Sequence, residues 1–179
     1  MKTINVPTRE QVSTESQELF DTLKKRMGKV PNLYATIGYS SHALKAFLDF
    51  EGSLNAGLFT AKEREAIALI VSEVNGCAYC LAGHTAAAIL RGFTKAETLD
   101  IRRGYTADDR LNVIIALAKS ITANKGKGDT ADLENFYAAG FDEAALMELI
   151  GLVTVRIFTN YVFVNTEIPV DFPAAEPIN

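Results

Sequence analysis

The chain has 179 residues, 48% of them apolar and 22% charged, with a formal net charge of −4; this is the make-up of one globular domain with a single large core. Its basic runs, such as Arg102-Arg103 and the KGKG of residues 125–128, are too short to neutralise a row of phosphates, so nucleic acid is excluded as an expected partner. The N-terminal stretch MKTINVPTREQ has no apolar leader and no uninterrupted 18-residue apolar run occurs, so no membrane partner is expected and the expected compartment is the cytoplasm.

In chain order, Thr14 with Gln17 has the form of a capping box and opens a helix that should stop at Gly28. VPNLYATIGY (30–39) predicts a short helix with Pro31 near its first turn. Ser41 is the expected cap of the next helix, in which Leu44, Phe47, Leu48, Glu51 and Leu54 form an apolar stripe with one polar interruption. Thr60 and Glu63 make a second capping box, and the run that follows, AKEREAIALIVSEV (61–74), predicts a helix buried on most sides. Asn75-Gly76 is a breaker pair, after which CAYCLAGHTAAAILRG (77–92) reads as helix to Gly92.

Thr94 with Glu97 starts a short helix ending at Gly104, and Asp108 or Asp109 starts another that ends at the glycines of KGKG. Thr130 is the expected cap of ADLENFYAAG, and Asp142 of a long last helix reaching about Asn165. Within that helix Glu148, Arg156 and Asn160 interrupt the apolar run of 148–164, which marks a core helix rather than a membrane span. The tail, 166–179, with three prolines in IPVDFPAAEPIN, reads as extended. No alternating strand pattern of useful length appears, so the expected class is all-α: one domain over 1–179 with its core in about 30–165. RGFTKAETL (91–99) and AGFDEAALM (139–147) share G-F-(T/D)-x-A, a candidate duplicated helical hairpin whose second copy has neither cysteine nor histidine.

The chemistry gathers in NGCAYCLAGH (75–84), which holds both cysteines of the chain and one of its two histidines. On a helix, Cys77 and Cys80 are i and i+3, Cys80 and His84 are i and i+4, so all three share one face within two turns. A helix beginning at or just before Cys77 puts that thiol in the first turn, where free N–H groups and the helix dipole favour a thiolate. Each residue also has an ordinary reading, as a small buried hydrophobe or a hydrogen-bonded histidine; the scarcity and spacing of the three together favour a site. A structural zinc site needs a fourth ligand that only Glu65, Glu73 or a second chain could supply, so no metal and no bound cofactor is expected. A dithiol centre needs a nucleophilic thiolate, a resolving thiol, a base and a group that orients the base. His84 is the candidate base and Glu65, set in the apolar stretch EREAIALIV, the candidate partner. Glu63 is absorbed by its cap, and Glu73 reads as a surface charge at a helix end.

TAKEREAIALIVSEVNGCAYCLAGHTAAA (60–88), a glutamate twelve residues before C-x-x-C-x-x-x-H, resembles the signature of the alkylhydroperoxidase AhpD-like branch of the carboxymuconolactone decarboxylase superfamily. VPNLYATIGYSSHALKAFLDFEGSL (30–54) resembles the entry segment of the same proteins. The resemblance implies an all-α AhpD-like helical bundle, a homo-oligomer (trimer or hexamer), and reduction of a peroxide substrate at the expense of an external dithiol reductant, protein or small thiol. It implies Cys80 as the peroxidatic and Cys77 as the resolving cysteine, with Glu65 and His84 relaying protons, through water. That assignment runs against the dipole argument, which favours Cys77 as the more acidic thiol; a base one turn from Cys80 can outweigh the dipole. Tyr79 is a departure, because the best-studied AhpD proteins carry a second histidine between the cysteines and a phenol is a poor base at neutral pH. Ser72 and Asn75 are further candidates to line the pocket. Competing functions are a carboxymuconolactone decarboxylase-like enzyme acting on a small lactone acid, whose chemistry does not call for a dithiol, and a non-enzymatic, redox-responsive helical oligomer.

Overall fold

The computed structural model describes residues 4–178; residues 1–3 of the N-terminal stretch and Asn179 of the tail lie outside them. Among the described residues there is no strand. A 3₁₀ turn (Arg9–Gln11) precedes α1 (Thr14–Met27), α2 (Asn32–Ile37), α3 (Ser41–Asn55), α4 (Ala61–Val74), α5 (Ala78–Leu90), α6 (Lys95–Arg103), α7 (Asp109–Ala123), α8 (Thr130–Ala138) and α9 (Glu143–Thr166). The all-α expectation holds.

Most helix ends follow from local chemistry. Thr60 with Glu63 and Thr94 with Glu97 form reciprocal capping boxes at α4 and α6, and Asp108 and Asp142 cap α7 and α9 by accepting from Leu111 N and Ala145 N. Three caps shift by one residue. Ser13, not Thr14, accepts from Ser16 N at α1; Ser40, not Ser41, accepts from Ala43 N at α3; and α8 is preceded by Asp129, with Thr130 already inside the helix. In each case two neighbouring residues are competent caps, and only the backbone outside the helix chooses between them.

The repeated G-F-(T/D) motif corresponds to a shared way of stopping a helix. Gly92 and Gly140 take positive φ (93° and 88°), and the next residue bonds back into the helix, Phe93 N to Ala88 O and Phe141 N to Phe136 O. These are the bonds of a Schellman stop, which needs a left-handed residue that glycine supplies without steric cost. The likeness ends at the turn, since the helix that follows is 9 residues long in one case and 24 in the other.

α4 is the axis of the fold. Seven consecutive residues, Ala66–Ser72, are buried, and α4 packs against α5, α6, α7 and α9. Around it lies one apolar cluster that includes Leu69, Ile70, Ile114, Leu117, Leu149 and Phe136, with Phe136 stacked on Phe141 at 4.2 Å between ring centres. A second cluster joins α1, α2 and α3 to the start of α5 and to α9 through Phe20, Leu23, Leu33, Leu44, Phe47, Tyr79, Val155 and Ile168. Phe20 and Leu23 precede residue 30 and Ile168 follows 165, so the core is wider than the sequence expectation. α9 is long and apolar enough to cross a membrane, yet it buries Arg156, Thr159 and Asn160 and packs on α3, α4 and α7. It is a core helix.

Leu69 is wholly buried in the middle of α4, so Leu69→Ala leaves a cavity as well as losing transfer energy and should cost about 2–5 kcal/mol. Urea unfolding checks this: the midpoint is expected to fall with an unchanged slope.

Candidate active site

The site is built by the turn between α4 and α5. Asn75 ends α4, Gly76 takes φ 64°, and Cys77 N donates to Ser72 O at 2.9 Å, which is again a Schellman stop. α9 clasps this turn: Asn75 Nδ2 donates to Asn160 Oδ1 (2.8 Å), and Asn160 Nδ2 donates to Ser72 Oγ (3.2 Å). Ser72 and Asn75 therefore hold the turn and, contrary to the sequence expectation, do not line the cavity beside it.

α5 starts one residue later than its thiol. Cys77 is the N-cap, and its Sγ accepts from Cys80 N at 3.3 Å, so sulfur takes the place that an oxygen usually fills. Cys77 and Cys80 are joined as a disulfide with their Cα atoms 5.3 Å apart, within the ordinary range for such a bridge. The two sulfurs are not equivalent. Cys77 is fully buried, whereas Cys80 lines a cavity of about 520 Å³. Cys77 takes an amide donor of the first turn, while Cys80 is the cysteine that borders the cavity.

His84, one turn after Cys80, lines the same cavity with Glu65 of α4. Its Nδ1 lies 2.8 Å from Glu65 Oε2, and both side chains are about four-fifths buried. Burial works to raise the Glu65 pKa, but the His84 hydrogen bond and charge, together with Arg156 and Arg91, outweigh it and hold the carboxyl below the usual range. An ionised carboxylate only accepts, so Nδ1–H donates and Nε2 is left as the basic nitrogen of the neutral ring.

Tyr79 has another task than the missing histidine. Its hydroxyl donates to Asp171 Oδ1 (2.5 Å) and accepts from Leu33 N (3.1 Å). Burial and Asp171 push the phenol pKa well above its ordinary value, so it stays protonated and is no base. Asp171 is also held by Lys29, whose Nζ reaches both its carboxylate and its carbonyl (2.8 and 2.7 Å). This anchor sets the next residue, Phe172, edge-on to the Tyr79 ring and into the cavity wall. The tail is non-helical, as expected, and it straps the start of α5.

Among the cavity residues that carried no sequence assignment as site residues, three form a polar cluster. Glu51 of α3 and Arg156 of α9 form a buried ion pair (Oε1 to Nη2, 2.6 Å), with the Tyr34 hydroxyl 3.5 Å from Glu51 Oε2. The available signals were Glu51 as the one break in an apolar stripe and Arg156 as a charge in an apolar helix. Glu73 is likewise no free surface charge: it pairs at 2.7 Å with Arg102, whose side chain is 4% exposed and also holds the Glu176 carbonyl. Arg102 is thus a buried clamp between α4, α6 and the tail. No group of three or more metal-ligating side chains forms among the described residues.

Residues 41–123 match the model of the carboxymuconolactone decarboxylase family. Over nearly its whole length the chain has the all-α AhpD-like fold. Its fold is that of an uncharacterised peroxidase-related protein from Silicibacter sp. TM1040 (24% identity, TM-score 0.79, 96% of this chain and 91% of that one). An uncharacterised peroxidase-related protein from Ralstonia eutropha JMP134, described as an alkylhydroperoxidase AhpD core, is similar as well (19%, TM-score 0.81, 93% and 90%). So is a cysteine-to-alanine variant of the debrominase Bmp8 in complex with 2,3,4-tribromopyrrole (17%, TM-score 0.80, 96% and 93%). No curated relative matches the sequence significantly.

Two outcomes follow for this site. Tyr79→Phe removes the donor to Asp171 and should cost about 1–3 kcal/mol, seen as faster amide exchange across residues 167–178; unchanged exchange there would mean that the phenol does not anchor the tail. Because the Glu65 pKa is lowered in the fold, its contribution to stability is complete above the unfolded value near 4.5 and is lost as pH falls through the folded one. Unfolding of Glu65→Gln measured against pH should therefore show a shallower loss of stability below about 4.5 than the wild type.

Proposed function

We propose that the protein is a thiol-dependent peroxidase that reduces hydrogen peroxide or organic hydroperoxides through the Cys77–Cys80 pair. The observation that carries the reading is the division of labour between the sulfurs: Cys80 on the cavity wall beside a Glu65–His84 pair, Cys77 buried behind it and already bonded to it. A thiol reached by substrate and a second reached only by the first are what a peroxidatic and a resolving cysteine require.

In the reduced form His84 takes the Cys80 proton, through water, and Glu65 stabilises the imidazolium. The thiolate attacks one peroxide oxygen and the O–O bond breaks. Sulfur is oxidised to sulfenic acid, and the leaving alkoxide takes the proton from His84 to become an alcohol. Cys77 then attacks the Cys80 sulfur; the S–O bond breaks, water leaves, and the disulfide forms. An external dithiol, protein or small molecule, returns both thiols by exchange. The sum is one peroxide and two thiols converted to alcohol, water and disulfide. A reducing cytoplasm, where such dithiols are kept reduced, is the compartment that this cycle fits. Assembly into a trimer or hexamer belongs to the same reading, supported by the exposed apolar side chains Met147, Ile150, Phe158, Tyr161 and Val164 along α9. Decarboxylation of a lactone acid makes no use of the paired sulfurs.

Stopped-flow peroxide reduction tests the assignment. Cys80→Ser is expected to abolish turnover, and Cys77→Ser to stop after one equivalent with a sulfenic acid that dimedone traps. Glu65→Gln or His84→Gln should each slow oxidation by roughly 10²–10⁴-fold. Full peroxide consumption by Cys80→Ser would overturn the roles.

A further inference from the structure

The redox cycle uses Cys77, Cys80, Glu65 and His84 and leaves most charges of the cavity without a task. Five formally charged side chains besides His84 line it: Glu51, Glu65, Arg64, Arg91 and Arg156. Both carboxylates are already engaged, Glu65 by His84 and Glu51 by Arg156. Arg64 and Arg91 are not matched. Among the described residues neither belongs to an ion pair; Arg64 donates to the Phe59 carbonyl, a neutral partner, and Arg91 has no side-chain hydrogen bond. Both line the same cavity and both sense Glu65, whose charge works against burial at Arg64 and is itself favoured by Arg91. With three guanidinium groups against two carboxylates the cavity keeps an excess positive charge, carried by two arginines outside any ion pair, and a guanidinium holds a carboxylate in a two-pronged grip.

The remainder of the wall suits a hydrocarbon. Leu33, Ala87, Leu90 and Phe172 line it, and Leu90 is 87% exposed, an apolar side chain left in solvent beside the two arginines. Arg91 follows Cys80 by eleven residues along the chain, which is about 16 Å along the axis of α5 at 1.5 Å per residue. A molecule that places an anionic end at the arginines and its other end at Cys80 must be long and apolar between them, and about 520 Å³ is room for it.

We infer that the substrate is an amphipathic carboxylate: an aliphatic acid hydroperoxide whose carboxylate is held by Arg64 and Arg91, whose chain lies along α5 against Leu90, Ala87 and Phe172, and whose peroxide reaches Cys80. The inference rests on the peroxidase reading for the reaction but not for the binding. Arg64 and Arg91 are specificity-determining residues. They set which peroxide is presented to the sulfur, and the buried Glu51–Arg156 pair keeps Glu51 neutralised so that it does not repel the acid.

Binding and turnover are measured separately. Calorimetry of the oxidised protein with dodecanoate and with methyl dodecanoate, neither of which carries a peroxide, reads the anion site alone. Dodecanoate is expected to bind at least tenfold more tightly, with the preference shrinking as salt is raised. In Arg91→Gln, an exposed position at the end of a helix, the preference should drop several-fold, and in Arg64→Gln/Arg91→Gln it should approach one. Turnover of a linoleic acid hydroperoxide and of its methyl ester should show the same ratio in KM, with kcat alike for the two. Equal binding of acid and ester, or a preference that survives Arg91→Glu, overturns the inference even if both peroxides are reduced. A salt-sensitive, arginine-dependent preference for dodecanoate in a protein that reduces no peroxide upholds the anion site and removes the peroxidase reading.

Discussion

The packing of α5 against α4 is the constraint on which the site depends. α4 is buried over two turns, and an apolar helix surrounded by α5, α6, α7 and α9 has no freedom to rotate without exposing Ile67, Leu69 or Ile70. That rigidity fixes the direction of Glu65, one residue before the buried run, so that it meets His84 across the interface. A carboxylate on a mobile helix would be solvated and of little use to an imidazole. Held on a fixed one, it sets the tautomer of the ring and leaves one nitrogen for proton transfer.

The turn that joins the two helices is as tightly specified. Gly76 in a left-handed conformation lets Cys77 cap α5 immediately after α4 has stopped, and Asn160 ties both sides of the turn to α9. The consequence for chemistry is the asymmetry between the sulfurs. A cap residue points back toward the helix it opens and is buried by the preceding one; a residue one turn further on emerges on the cavity side. Sequence spacing of i and i+3 alone makes the two thiols neighbours, and the cap makes them unequal.

Around this centre the fold uses polar clasps where an apolar contact would serve for stability alone. Glu51–Arg156, Glu73–Arg102 and Tyr79–Asp171–Lys29 each tie distant segments together, and each is largely buried at one end or both. Buried ion pairs are poor sources of net stability but demand a defined geometry. Here the geometry has a use, because two of the three clasps line or wall the cavity. Tyr79 illustrates the point: in place of a second base between the cysteines, it holds the C-terminal strap whose Phe172 closes one side of the pocket.

The sequence by itself determined the all-α class, the order of the helices and the identity of the dithiol face. Each of these is local: capping residues, glycine stops and the 3.6-residue period act within a few positions, and Cys77, Cys80 and His84 lie within two turns of one helix. Glu65 was legible because a carboxylate in an apolar run needs a partner. Even locally there was a limit, as where Ser13 and Thr14, or Ser40 and Ser41, are equal candidates and only the incoming backbone selects the cap. What only the tertiary structure decided involves residues far apart in the chain. Glu51 meets Arg156, Tyr79 meets Asp171, and Ser72 and Asn75 turn to Asn160 rather than to the cavity. No periodicity encodes such pairings, since each depends on how three or more helices cross. For the same reason spacing alone could not say which sulfur faces the cavity: both cysteines are buried, and the walls that α2, α3, α9 and the tail bring leave Cys80 and not Cys77 on the cavity side.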